Sequence, residues 1–264
     1  MQTAIETITP ALAKIMLGMN TQNRKLKKNH VQNMVRDIQN GLWQLNGSSI
    51  CVCSDGTLLD GQHRLHAMIK ADKSIETIVV RGLPKDARDT IDSGTKRTVS
   101  DRISMNGASY ATSQASVANF LISVAHNTPR SVTASQQEVL SVIENHDLVP
   151  SCTVADKAFP RIGTLLAGLH YIACYQDNHQ KADEFIAVFK KGVPTYEHDA
   201  AHFCREYFIA QEMKQVSIRT EFKRRIIVNA FNKFIMNEPM RSARFPEKYY
   251  IPQWTPECVG VHIG

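Results

Sequence analysis

The sequence lacks an apolar run long enough to cross a bilayer, and its first nine residues contain no apolar segment of the kind found in secretory signals. It also lacks a Cys-x-x-Cys pair. Its six cysteines are scattered, which indicates free thiols rather than a disulfide framework or a zinc site. No internal repeat stands out. These absences predict a protein of the cytoplasm that has no membrane partner.

The composition is that of an ordinary globular protein. The chain has 264 residues, of which 43% are hydrophobic and 21% charged, so a sizeable core can form in one large or two modest domains. The net charge of +6 is mildly basic. Such a balance permits a polyanionic partner such as DNA without requiring one.

Helices and strands alternate in the first part of the chain. Thr9-Pro10 is a typical start of a helix, because Thr caps well and Pro is favoured at the first position. Asp55-Gly56 predicts a hairpin turn between two short strands. The patterns together predict helices over residues 11–19, 28–39, 62–71 and 98–105, a helical turn over 86–91, and strands over 48–54, 57–59 and 75–81.

Strand patterns disappear after about residue 108. Helical spacing predicts helices over residues 113–126, 135–145, 161–175, 180–189, 200–213 and 219–236. Loops are expected over 127–130 and 145–151, and the tail from residue 245, with three prolines, is expected to be irregular. We therefore predict an α/β domain with a small mixed sheet over residues 1–107, followed by a mostly α-helical domain over residues 108–264.

One strand-turn-helix segment carries the clearest chemical signal. Asp60-Gly61 ends a predicted strand and begins a predicted helix, so the helix N-terminus offers N–H groups and a positive dipole end to an anion. Gly61 permits a sharp bend, and Arg64 adds a fork of donors that suits phosphate. His63 adds another donor, and the Asp60 carboxylate could hold Mg²⁺ or act as a base. The alternative is an ordinary helix cap with solvated side chains.

Two further features concern the same ligand class. Arg24, Lys25, Lys27 and Lys28 form a basic cluster that would contact a nucleic-acid backbone, unless it is a solvated loop. Asn46, three residues after Trp43, is a candidate nucleotide-binding residue that lines a pocket, unless it has no part in the site. The sequence leaves both alternatives open.

The run Asp60-Gly61-Gln62-His63-Arg64 resembles the Asp-Gly-Gln-His-Arg signature of ParB-like proteins of phages, within the ParB/sulfiredoxin superfamily. The glycine, the arginine and the small Ala67 of the superfamily pattern are all present. The resemblance implies a ParB/sulfiredoxin-like fold in which this turn cradles the phosphates of ATP or CTP. Gly61, Gln62, His63 and Arg64 would bind phosphate, with Mg²⁺ at Asp60.

The resemblance extends to other segments of the chain. Residues 20–26, 41–47, which include Asn46, and 226–232 are similar to those phage proteins. Residues 90–97 lie where ParB has a phosphate-contacting segment, and the resemblance implies that Asp92, Lys96 and Arg97 close the site from its far side. It also implies the cytoplasm of the host cell if a phage encodes the protein.

Two departures from the family pattern divide the functional hypotheses. Gln62 replaces a glutamate that ParB uses to hold metal and nucleotide, and no cysteine stands in the turn, which excludes the sulfiredoxin reaction. The leading hypothesis is a nucleotide-binding protein in DNA-related metabolism, with Asp60 and His63 as candidate catalytic residues for hydrolysis or phosphate transfer. The alternative is a non-enzymatic DNA-binding regulator or partition-like adaptor. A nuclease is the third reading, and the oligomeric state stays open.

Overall fold

The chain divides into two compact units. The computed structural model describes residues 1–20, 23, 25–89, 91, 97–129, 134–243 and 249–261. The first unit ends at Arg97 and the second begins at Thr98, rather than after residue 107 as expected. The helix that starts after Thr98 therefore belongs to the second unit, and its N-terminus is fixed by a capping box between Thr98 and Asp101.

A mixed four-stranded sheet forms the centre of the first unit. Its strands are β1 (Gln2–Ile8), β2 (Ser49–Cys53), β3 (Leu58–Asp60) and β4 (Ile75–Leu83). They lie in the order β1-β4-β2-β3, with β1 and β3 at the edges. The β1–β4 and β2–β3 pairs are antiparallel, whereas β2 and β4 run parallel. The turn between β2 and β3 is held by a hydrogen bond from the Thr57 N–H to Asp55, which lowers the pKa of Asp55 to about 2.

Three helices cover one face of this sheet. They are α1 (Pro10–Gly18), α2 (Lys28–Gln39) and α3 (Gln62–Ala71). Their apolar residues, such as Val31 and Leu65, pack on Ile50 and Val79 of the central strands and form the main core of the unit. A smaller cluster around Cys51, Cys53 and Leu59 fills the opposite face, where the 3₁₀ helix Lys85–Asp89 follows β4. The sheet is thus a rigid platform for the turn between β3 and α3.

Strand β1 was missed by the sequence analysis, which began with the helix at Pro10. Its residues are exposed except for partly buried Glu6 and buried Ile8. An exposed edge strand has no alternation of apolar and polar residues, and such an alternation was the criterion used. The β-branched residues Thr3, Ile5, Thr7 and Ile8 were the signal that could have found it.

The second unit is built from helices in the part of the chain that the structure describes. One expectation for it was wrong, and a second was incomplete. The loop expected over 145–151 contains the start of α7 (Val149–Ala155). Pro150 is compatible with this helix because it lies in the first turn, where a missing N–H costs nothing. The tail contains a short helix, α12. The helices are α4 (Val99–Met105), α5 (Ala111–Ala125), α6 (Gln136–Asn145), α7 (Val149–Ala155), α8 (Gly163–Tyr175), α9 (His179–Lys191), α10 (Ala200–Met213), α11 (Thr220–Ile235) and α12 (Pro256–Val259).

The tail before α12 is also part of the packed unit. Trp254 is buried, and its indole N–H donates to the Leu121 carbonyl of α5 at 3.0 Å. Tyr249 is fully buried, and its hydroxyl lies 3.2 Å from the Ser123 hydroxyl of the same helix. Aromatic side chains therefore tie the tail to α5, so its many prolines did not make it irregular throughout.

The coarse fold prediction is confirmed: a small mixed sheet with helices is followed by a mostly helical part. Among the described residues, no helix combines the length and the apolarity required to cross a membrane.

Candidate anion-binding site

The turn between β3 and α3 depends on Gly61. Its φ is +105°, a backbone conformation that L-amino acids with side chains rarely adopt. A Cβ at this position would lie 3.0 Å from Ile50 Cγ1 and 3.2 Å from Ile50 Cα in the neighbouring strand. Gly61 also serves as the N-cap of α3, so no side chain at that position caps the first-turn N–H groups. The predicted bend is therefore present, and it brings the helix start close to the sheet.

Arg64 and Asp60 form an ion pair at this turn. Arg64 Nη2 donates to Asp60 Oδ2 at 2.8 Å across one helical turn, and only 11% of the arginine side chain is exposed. The other terminal nitrogen, Nη1, is buried and has no hydrogen-bond partner among the described residues. A buried guanidinium N–H without an acceptor costs free energy. An anionic or carbonyl oxygen that accepts a hydrogen bond from Nη1 would remove this cost.

Electrostatics at the helix start favour an anion. The first turn of α3 contains no acidic residue and does contain Arg64. A positive side chain near a helix N-terminus is unfavourable in itself, because the helix dipole is positive there too. Asp60 offsets one charge only. The first turn of α3 is therefore a place where a bound phosphate would remove an electrostatic cost.

Gln62 and His63 are both 6% exposed and turn away from solvent. The side-chain oxygen of Gln62, Oε1, accepts a hydrogen bond from the side-chain amide of Asn20 at 3.3 Å. The Nε2 atom of His63 accepts the backbone N–H of Lys27 at 3.1 Å, so that lone pair is engaged. These two predicted phosphate ligands connect the segment before α2 to the first turn of α3. In this conformation, Nε2 of His63 is not available as a general base.

Asn20 and Asn23 complete this connection and were not among the predicted site residues. The Asn23 amide donates to Asn20 Oδ1 at 2.7 Å and to the Leu58 carbonyl at 2.8 Å. The segment is thus held to β3 as well as to α3. Their positions in the family-like run 20–26 were a signal, but only the structure shows that they act on the turn.

The predicted basic cluster is brought to the same turn. Lys27 is bonded to His63 through its backbone, and the side chains of Lys25, Lys27 and Lys28 are exposed. Arg24 lies outside the described residues. Three lysines therefore follow one another closely in the segment that packs on the start of α3, a proximity that the sequence had not predicted.

Of the remaining predicted residues, the structure describes Asn46 and Arg97. Asn46 is exposed, and its side chain accepts the Ser48 N–H at 2.8 Å, which is a local turn that leads into β2. Arg97 is exposed at the end of the first unit. Asp92 and Lys96 fall outside the described residues, as does the rest of the segment 92–96.

Asp60 is the one predicted metal ligand. Among the described residues, no group of three or more His, Cys, Asp or Glu side chains could hold a metal ion. A single carboxylate suits Mg²⁺ only where phosphates and waters supply the other ligands, as in nucleotide complexes. Asp60 therefore fits Mg²⁺ that arrives with such a ligand.

A second polar constellation lies in the helical unit. Ser151 Oγ lies 2.9 Å from His170 Nδ1, and His170 Nε2 lies 3.2 Å from Asp183 Oδ1. The residue types are those of a hydrolase triad, but the arrangement is inverted. The serine is 3% exposed and the Asp183 side chain is 69% exposed, whereas a nucleophile must reach its substrate and the carboxylate is normally buried. The cluster is a polar link between α7, α8 and α9 that is buried at Ser151 and His170 and exposed at Asp183.

Comparisons of the chain with protein-family models, with curated proteins and with solved structures gave no match. The role of the turn must therefore be inferred from its own geometry.

Proposed function

We propose that the protein binds a nucleoside triphosphate, with its phosphates at the first turn of α3. The observation that carries the proposal is Arg64 Nη1, which is buried and has no hydrogen-bond partner among the described residues, directly beside a helix N-terminus without a side-chain cap. Such a nitrogen is well suited to a phosphate oxygen. The resemblance of Asp60–Arg64 to the phosphate turn of ParB/sulfiredoxin proteins supports the same ligand.

The residues divide into three roles in this proposal. Gly61 allows the phosphates to approach the backbone, and the N–H groups of the first turn and Arg64 donate to them. Asp60 contacts the Mg²⁺ that accompanies the nucleotide. The metal neutralises phosphate charge and so removes the repulsion between the phosphates and the Asp60 carboxylate. Gln62 and His63 are positioning residues, because their side chains hold the lysine segment against the turn.

Few side chains at this turn could take part in hydrolysis or transfer of a phosphate. Asp60 is the carboxylate at the turn, and His63 Nε2 is engaged by Lys27. Hydrolysis or phosphate transfer would therefore be driven by positioning and electrostatics around Arg64 rather than by a histidine base. We propose nucleotide binding as the primary function; any hydrolysis or phosphate transfer would use Asp60 as its base and the positive charge of Arg64 for electrostatic stabilisation.

A thermal-shift panel tests the proposal. The full-length protein is melted with ATP, CTP, GTP and UTP, each with and without Mg²⁺. We expect at least one nucleotide to raise the melting temperature in the presence of Mg²⁺, because a ligand at 100 times its Kd stabilises the folded state by about 2.7 kcal/mol. Sodium triphosphate with Mg²⁺, which lacks the nucleoside, is the control for binding of the phosphates alone. No shift with any of the four nucleotides would contradict the proposal.

The exposed lysines favour a second candidate function, binding of DNA. Lys25, Lys27 and Lys28 present their charges on the segment that packs on the anion-binding turn. A regulator or adaptor of this kind would contact the phosphate backbone without base specificity.

Gel shifts with a short DNA duplex at several salt concentrations test this second function. We expect retardation that weakens steeply as salt rises, and a smaller slope of log affinity against log salt in the variant K25A/K28A. The variant K190A/K191A, altered at two lysines of α9 in the other unit, is the control. A complex that is insensitive to K25A/K28A would remove the lysine segment as the DNA contact.

A further inference from the structure

The outer edge of β1 is open. β1 pairs with β4 on one side, and no other strand in the described part of the chain pairs with it on the other. The side chains of Gln2, Thr3, Ala4, Ile5 and Thr7 are all exposed. Along this edge, backbone N–H and C=O groups are directed away from the sheet, which is a template for pairing with another strand.

This edge lacks the features that usually prevent strand pairing. β1 contains no proline, lysine or glycine, and its register with β4 is regular from Gln2 to Ile8. Its one charged residue, Glu6, is bound by the Arg81 guanidinium of β4 through both carboxylate oxygens, so its charge is compensated. Ile5, in the middle of the strand, is 62% exposed, although isoleucine gains from burial.

We propose that the protein forms a symmetric dimer in which β1 pairs antiparallel with β1 of a second copy, centred on Ile5. This register gives every residue of the seven-residue strand a partner and joins two four-stranded sheets into one. Ile5 meets Ile5 of the second copy, and Thr3 meets Thr7. Both are pairs of β-branched residues, which stabilise sheets across strands.

Charge favours the same register. When β1 is centred on Ile5, Glu6 faces Ala4 of the second copy rather than another Glu6. A register centred on Glu6 would place like charges directly opposite each other, which is destabilising. The two-strand contact is small compared with a standard protein interface, so the dimer is expected to be reversible and to depend on concentration.

Sedimentation analysis of the full chain from low micromolar to several hundred micromolar concentration tests the proposal. We expect a monomer–dimer equilibrium in the wild type that is weakened at least about tenfold by Ile5→Lys, because two lysines would then face each other across the twofold axis. Ile15→Lys is the matched control, since Ile15 is 65% exposed on α1 of the same unit and lies outside the strand. Unchanged melting temperatures show that both variants are folded.

A charge-pair experiment tests the register. Ile5→Lys and Ile5→Glu should each be monomeric alone, and a mixture of the two should form a heterodimer, because only a register centred on residue 5 brings Lys and Glu together. A wild-type protein that stays monomeric at all concentrations overturns the proposal. So does a dimer that resists Ile5→Lys, and so does a mixture of the two variants that stays monomeric.

Discussion

Replacement of Gly61 by alanine is expected to destabilise the first unit by about 2 to 5 kcal/mol. The sum has two parts, a cost of roughly 1–2 kcal/mol for an L-residue at positive φ and about 1–3 kcal/mol for a methyl group forced into a packed site. Both parts apply, because φ is +105° and the new Cβ would lie 3.0 to 3.3 Å from three carbon atoms of Ile50. Ile50 is fully buried in a central strand and has little room to move.

Urea denaturation, monitored by hydrogen exchange of peptides from each unit, measures the loss of stability separately in the two units. Gly41→Ala is the matched control, because Gly41 also has a positive φ, +71°, but a Cβ there would meet no atom within 4 Å. We expect the control to cost only the conformational part, roughly 1–2 kcal/mol. Equal losses of unfolding free energy in the two variants would show that contact with Ile50 is not the reason why position 61 requires glycine.

Periodicity predicted most of the helices and the two central strands, β2 and β4. Val31, Val35 and Ile38 repeat at helical spacing, and they are buried on α2 as expected. The edge strand β1 escaped because an exposed strand contributes little to the core. The helix α7 escaped because Pro150 was read as part of a loop, although the first turn of a helix accepts proline.

The site was predicted only in part, and helix geometry explains why. Successive residues of an α-helix are about 100° apart, so Gln62 and Arg64 point about 200° apart and cannot both face one ligand. Asp60 and Arg64 meet across one turn, while Gln62 and His63 are buried against the segment before α2. Under the proposed function, this motif of consecutive residues thus combines a pair that faces the phosphates, Asp60 and Arg64, with two residues that support it from behind. The sequence could locate the turn but could not separate these roles without the burial of each side chain.

Arg64→Ala is expected to reduce nucleotide affinity by about tenfold to a hundredfold. Hydrogen bonds to a charged group contribute about 1.5–3 kcal/mol, and each 1.4 kcal/mol corresponds to a factor of ten in Kd. The nucleotide identified by the thermal-shift panel is titrated by calorimetry against the wild type and the variant. Arg64→Lys should recover part of the loss at most, because an ammonium retains the charge but not the planar fork.

Arg225→Ala is the matched control for the loss of an ion pair. Arg225 is paired with Glu221 across one turn of α11, with side chains exposed to a similar degree as those of Arg64 and Asp60, but it lies in the other unit. We expect this variant to bind nucleotide as the wild type does. If Arg64→Ala also binds as tightly as the wild type, Arg64 serves only its pair with Asp60 and the proposed function fails.

Asp60→Asn separates the two roles assigned to the carboxylate. If Asp60 contacts nucleotide-bound Mg²⁺, the amide should weaken binding in the presence of Mg²⁺ and strengthen it in its absence, because the repulsion between carboxylate and phosphate is removed. The same substitution also frees Arg64 Nη2 from its ion partner, so the guanidinium can offer both terminal nitrogens to the phosphate. A dependence on Mg²⁺ that is unchanged in Asp60→Asn would place the metal away from this carboxylate and leave Arg64, with the first turn of α3, as the phosphate-binding element.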